Sequence, residues 1–239
     1  MAEKTIIHES PIINVINLSK YVTADINKKV RLLRKLKFSD PPLYARYSSP
    51  KSAVNKYLQD NERRIIIFDE YIKKEKERIL DSQFKIIDQR CSLECLDILK
   101  SKSSLFFTPY NNHFSKKGLK KQFTHIYVHG VDVSLSPDLA IYDNESNKLA
   151  GFVKFSFSKD KKGRLTFQQG QLITGLIKDH LEEQFNVTLN RKLCIALDVF
   201  AIKPIVAPEE STWLKDRPKL DDAFIEIANL WPDIQGKTA

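Results

Sequence analysis

The chain is poor in residues that break or staple structure. Its 239 residues include 7 glycines, 10 prolines, 3 cysteines and 1 methionine. So little glycine and proline excludes collagen-like and linker-like chains and favours long regular elements. Glycines are also too few for a phosphate-binding loop, and no Gly-x-Ser-x-Gly elbow occurs for a serine nucleophile. Three cysteines (Cys91, Cys95 and Cys194) and an opening MAEKTIIHES without a signal-peptide core point to a reducing cytoplasm rather than a disulfide scaffold. No run reaches the ~18 apolar residues of a membrane span, so no membrane partner is expected. Cys91 and Cys95 have no second Cys/His pair at zinc spacing and read as core residues.

What is present is an ordinary apolar fraction, 42 %, and a basic balance of 39 Lys+Arg against 30 Asp+Glu, net +9. The first supports a packed core. The second makes a polyanion, nucleic acid first, a plausible partner.

The chain divides by character. Residues 1–77 read as a charged, helical N-terminal region. Residues 78–239 read as an α/β core with a closing helix. Leu18–Phe38 carries apolar residues at helical spacing opposite Lys28, Lys29, Arg31, Arg34, Lys35 and Lys37, a basic amphipathic helix. Such a face can meet phosphates, an acidic membrane surface or simply water. Asp40-Pro41-Pro42 stops it, and Ser49-Pro50 starts the next helix with Ser49 as N-cap. The N-terminal helices offer a surface for a homodimer or another protein partner.

Leu80, Phe84, Ile87, Cys91, Cys95 and Ile98 form a helical stripe, with Glu94 on or beside it. A carboxylate turned toward a core needs a partner. Phe123–Val133 alternates and reads as a first strand, with His125 and His129 on one side as structural histidines. Leu139–Tyr142 and Leu149–Ser158 read as the next two strands, joined by the turn formers Asp143–Asn147 into a hairpin. Residues 168–185 form a helix. Leu193–Ile202 is nearly all apolar and reads as a buried central strand, ended by Pro204 and Pro208. Asp221–Leu230 closes the chain as a helix.

The order helix, three strands, helix, strand, together with Pro137-Asp138 before the second strand and Lys154 within the third, resembles the PD-(D/E)XK nuclease superfamily over residues 78–205. The resemblance implies a restriction-endonuclease-like mixed central sheet flanked by helices, with the N-terminal helices as an elaboration. It implies hydrolysis of DNA or RNA phosphodiesters with magnesium as cofactor, Asp138 as metal ligand, Lys154 as catalytic lysine and Glu94 as helix carboxylate. The hard cation suits carboxylate oxygens, and the lysine offsets phosphate charge.

The pattern departs from the family at Phe152, where an acidic residue is expected. Three outcomes stand open. Glu94 supplies the missing ligand with the Val153 carbonyl, Asp132 substitutes, or the site holds no metal and the fold only binds. Register bears on this: a four-residue turn at 144–147 sets Asp138 opposite Val153, facing away from Lys154, and a one-residue shift brings the two together. Lys116, Lys117, Lys120 and Lys121 on one side, and Lys159, Lys161, Lys162 and Arg164 on the other, flank the hairpin as phosphate contacts. Gln168 and Gln169 open the following helix and are candidate nucleic-acid contacts.

Overall fold

The computed structural model describes residues 5–39 and 46–236. The chain begins with β1 (Ile6–Ile7), β2 (Ile12–Asn14), α1 (Val15–Val22), α2 (Ile26–Lys37) and β3 (Phe38–Ser39). It continues through α3 (Ser48–Gln59), α4 (Ile66–Lys76), α5 (Gln83–Ser101) and α6 (Ser103–Phe107). The strands β4 (His113–Lys117), β5 (His125–Val128), β6 (Val131–Ser134), β7 (Leu139–Asp143) and β8 (Leu149–Ser156) follow. Then come α7 (Phe167–Phe185), β9 (Cys194–Asp198), β10 (Lys203–Val206) and α8 (Glu210–Leu230).

A five-stranded mixed sheet, ordered β10-β9-β8-β7-β4, forms the middle of the molecule. All its pairings are antiparallel except β8–β9, which is parallel and is bridged by α7. Side chains alternate across it. Ala140, Phe152, Cys194 and Ala196 face a core shared with α1, α2, α7 and α8. Leu139, Ile141, Val153, Phe155, Ile195 and Leu197 face a second core shared with α3, α4, α5 and α6. The N-terminal helices therefore contribute to both cores, α1 and α2 to one and α3 and α4 to the other. The fold is mixed α/β, with helices covering both faces of the central sheet.

Several sequence expectations change. Phe123–Val133 is not one strand. His129 (φ 48°) and Gly130 (φ 81°) turn the chain back, so β5 and β6 form a hairpin with a two-residue loop of positive φ. It joins β2 in a separate three-stranded sheet. The first strand of the central sheet is instead β4, HFSKK. Its polar composition suits an edge strand and hides it from a search for alternation. Leu193–Ile202 also divides: β9 ends at Asp198, and the chain returns as β10, which accommodates Pro204 because it is an edge. The basic segment from Leu18 is two helices, broken where Asp25 caps α2 through the Lys28 amide. Tyr47 rather than Ser49 precedes the first turn of α3. Asp40-Pro41-Pro42 lies outside the described residues. α8 starts eleven residues before Asp221 and contains Pro218.

Close backbone approach fixes β8. A Cβ on Gly151 would lie 2.5 Å from the Leu193 carbonyl oxygen, so only glycine fits there.

Candidate functional site

The register of the β7–β8 hairpin sets the site. Leu139 pairs with Val153, Ala140 with Phe152 and Ile141 with Gly151, but Tyr142 pairs with Leu149. The extra residue, Ala150, is a bulge that shifts the pairing by one. Asp138, one residue before β7, therefore stands beside Lys154, and its carboxylate Oδ2 lies 3.5 Å from the Lys154 Nζ. The Asp138 amide donates to the Val153 carbonyl at 2.9 Å, which locks this alignment.

The carboxylate is densely partnered. Its Oδ1 accepts from Lys51 Nζ at 2.6 Å, and its Oδ2 accepts the Phe155 amide at 2.8 Å. Lys154 donates to the Ser136 carbonyl at 2.7 Å. The Asp138 side chain is 9 % exposed and that of Lys154 is 17 % exposed. Burial pushes the Lys154 pKa below its ordinary value, against the pull of Asp138, and the charge of Lys51 pushes the same way as burial. Lys51 comes from α3, which packs on the other face of the sheet and reaches around its rim. Sequence reasoning missed this residue, since its link to Asp138 spans 87 positions.

The other proposed metal ligands lie apart. Glu94 is 46 % exposed and pairs with Lys159. The buried face of α5 runs through Asp88, Ser92, Cys95, Leu96 and Leu99, which puts Glu94 at its margin, in water. Asp132 belongs to β6, in the other sheet, and hydrogen-bonds His125 Nδ1 at 2.9 Å. Phe152 is fully buried in the α7-side core. Among the described residues, no three His, Cys, Asp or Glu side chains converge. One carboxylate held by two ammonium groups carries net positive charge, which repels a divalent cation. These residues do not fit magnesium.

The same end of the sheet gathers cations from several segments. Lys117 ends β4 and pairs in register with Leu139; its Nζ donates to Ser52 Oγ at 2.7 Å. Lys203 begins β10 opposite Asp198, the last residue of β9. Lys161 and Lys162, in the loop before α7, are exposed. Lys120 and Lys121 are exposed too, but they lead into Phe123, whose ring packs on Phe185 at the far end of α7, so they lie away from this rim. Lys116 Nζ turns away from this end, over the Phe114 and Tyr142 rings at 5.3 and 4.4 Å. Lys51 Nζ lies 5.6 Å above Phe157, which stacks on Tyr47 at 4.4 Å. Gln169 is taken up structurally: it completes the Thr166 capping box of α7 and donates to Thr23 Oγ1 at 2.8 Å. Gln168 is exposed in the first turn of α7.

Asp198 organises this end. It is fully buried, and its Oδ2 accepts the Leu165 amide at 2.7 Å while Oδ1 accepts the Ala201 amide at 3.2 Å. One carboxylate thus ties the basic loop before α7 to the β9–β10 turn. A cleft of about 350 Å³, lined by His113, Asp143, Lys148 and Asn190 among others, lies at the opposite end of the sheet. None of the rim lysines lines that cleft.

Among the described residues, no helix is long and apolar enough to cross a membrane. No family model matches the chain, and no curated protein matches it in sequence.

Proposed function

We propose that the chain binds the phosphate backbone of nucleic acid through this rim and does not require a metal ion. The observation that carries the reading is Asp138 held between Lys51 and Lys154, with Phe152 in the core where the nuclease pattern has an acid. The carboxylate serves to hold two lysines at the rim. Lys117, Lys161, Lys162 and Lys203 extend the positive surface along the same end of the sheet. Cations spread over an open edge suit a polymer of phosphates. The element order α5, β4, β7, β8, α7, β9 supports kinship with the PD-(D/E)XK superfamily as an inactive relative. Three free cysteines support a reducing compartment.

A second reading, magnesium-dependent hydrolysis through Asp138, Glu94 and Lys154, draws on the Asp138–Lys154 contact alone.

The test is fluorescence anisotropy with a labelled oligonucleotide over a salt series, with EDTA or with magnesium. Expected are binding that falls steeply with salt, no effect of EDTA, and a shallower salt dependence for Lys117→Glu and Lys162→Glu. Cleavage that needs added magnesium would overturn this reading in favour of the second. Absence of binding at about 50 mM salt would overturn both.

A further inference from the structure

Phe167 is the first residue of α7, and it is 55 % exposed. It enters neither core. Nor is it needed to start the helix, because Thr166 and Gln169 already form a capping box there. One exposed aromatic residue is ordinary on a protein surface, so it is the cations around this one that point to a ligand.

Its surroundings are fixed and cationic. The first turn of α7 presses on β10 at Gly170, where a Cβ would overlap the Ile205 side chain. This contact sets Lys203 beside the ring, with its Nζ 5.9 Å from the centroid. Lys161 and Lys162 are exposed in the loop leading to α7, and among the described residues the buried Nε of Arg164 has no hydrogen-bond partner. Across the turn, Ile202 holds a φ of 54°, a left-handed conformation that costs a β-branched residue free energy. The turn is maintained by Asp198, which accepts the Ala201 amide and also anchors the loop at Leu165. One buried carboxylate thus holds Leu165, two residues before the ring, and Ala201, two residues before Lys203.

We infer that Phe167 is a stacking platform for an unpaired base, so that the rim selects single-stranded over double-stranded nucleic acid. This rests on the phosphate-binding reading above and adds the substrate class. An aromatic face among cations matches a polymer that offers both flat π faces and phosphates. A protein partner fits less well, since protein interfaces are depleted in lysine. In a duplex the base faces are stacked on one another and are closed to Phe167.

The experiment compares wild type, Phe167→Ala, Phe167→Trp and Lys162→Ala on single- and double-stranded oligonucleotides of equal length, each over a salt series. Phe167→Ala should weaken single-strand binding by about tenfold or more, leave duplex binding within about twofold, and leave the salt slope unchanged. Phe167→Trp should retain single-strand affinity. Lys162→Ala should weaken both substrates and lower the slope by about one. Melting temperatures of the Phe167 variants should match wild type, since the ring lies outside both cores. If wild type binds both substrates and Phe167→Ala weakens neither or both alike, the platform is overturned while the phosphate-binding reading stands. If wild type binds no oligonucleotide, both fall. A protein partner lost on Phe167→Ala while oligonucleotide binding is unchanged would also overturn the platform.

Discussion

Lys51 sits closer to Asp138 than Lys154 does, 2.6 Å against 3.5 Å, although only Lys154 is the residue's neighbour on the hairpin. A helix on the far face of the sheet thus supplies the nearer cation. The carboxylate, with the Phe155 amide as a third partner, is held by three donors of the protein itself. This arrangement makes Asp138 a structural keystone of the rim, with measurable consequences.

Asp138→Ala leaves the Lys154 ammonium buried without its counter-charge. Chemical denaturation should show a loss of about 3 kcal/mol. Adding Lys154→Met in that background should recover part of the loss, because it removes the unpaired charge. A double variant less stable than Asp138→Ala alone would sink this account.

Phe152→Glu restores the acidic residue of the nuclease pattern on paper. The side chain, however, fills the core between the sheet and α7. The variant should lose at least about 4 kcal/mol, from the vacated packing plus a buried charge. Calorimetry should detect no magnesium binding. A stable Phe152→Glu protein that binds magnesium would show that the site needs only this one carboxylate.

Stability should fall as pH drops from about 7 to about 5. Burial is the main force lowering the pKa of both His113 and His180 from the ordinary 6.5. Among the described residues, His113 Nδ1 and His180 Nε2 are buried without hydrogen-bond partners, so an imidazolium there would strand a donor. The unfolded chain therefore takes up protons first. The stabilisation is complete above 6.5 and is lost as the pH falls toward the lower folded values. Urea midpoints for His113→Gln/His180→Gln should be flatter over this range; an unchanged slope would assign the effect elsewhere.

Thiol labelling at pH 8 should distinguish the three cysteines. Cys91 is partly exposed, whereas Cys95 and Cys194 are buried. Burial pushes the Cys194 thiol up to about 12 and the Cys95 thiol higher still. One thiol should react quickly in the native protein and all three after unfolding. Fast reaction of a second thiol in the native state would contradict the packing of α5 or β9.

The β7–β8 hairpin and α7 are legible in the sequence, because alternation and turn residues are local signals; whether Asp138 joins Lys154 stays open there, since a four-residue turn at 144–147 sets the two on opposite faces. The Ala150 bulge was the missing detail: one extra residue decides which face Asp138 joins, and no composition rule marks it. β4 escaped notice because an edge strand such as HFSKK needs no apolar alternation. The stripe expected on α5 was rotated: Ile87 is exposed, while Asp88 and Ser92 point inward. There, the buried polar groups find partners, as Asp88 does in Arg78 at 3.0 Å, so hydropathy alone misplaces the buried face. Lys51 was illegible for a different reason. Its contact with Asp138 depends on how α3 packs across the sheet, which no local pattern encodes.

Pro204 and the β4 lysines have a further consequence, for self-association. The central sheet has β10 at one border and β4 at the other. A proline in β10 cannot donate a ladder hydrogen bond, and Lys116 and Lys117 place charge on β4. Both borders resist annealing to another strand. The sheet is thus guarded against growing by edge-to-edge pairing into ribbons or fibrils, so crowding of the chain does not by itself seed strand-to-strand aggregation.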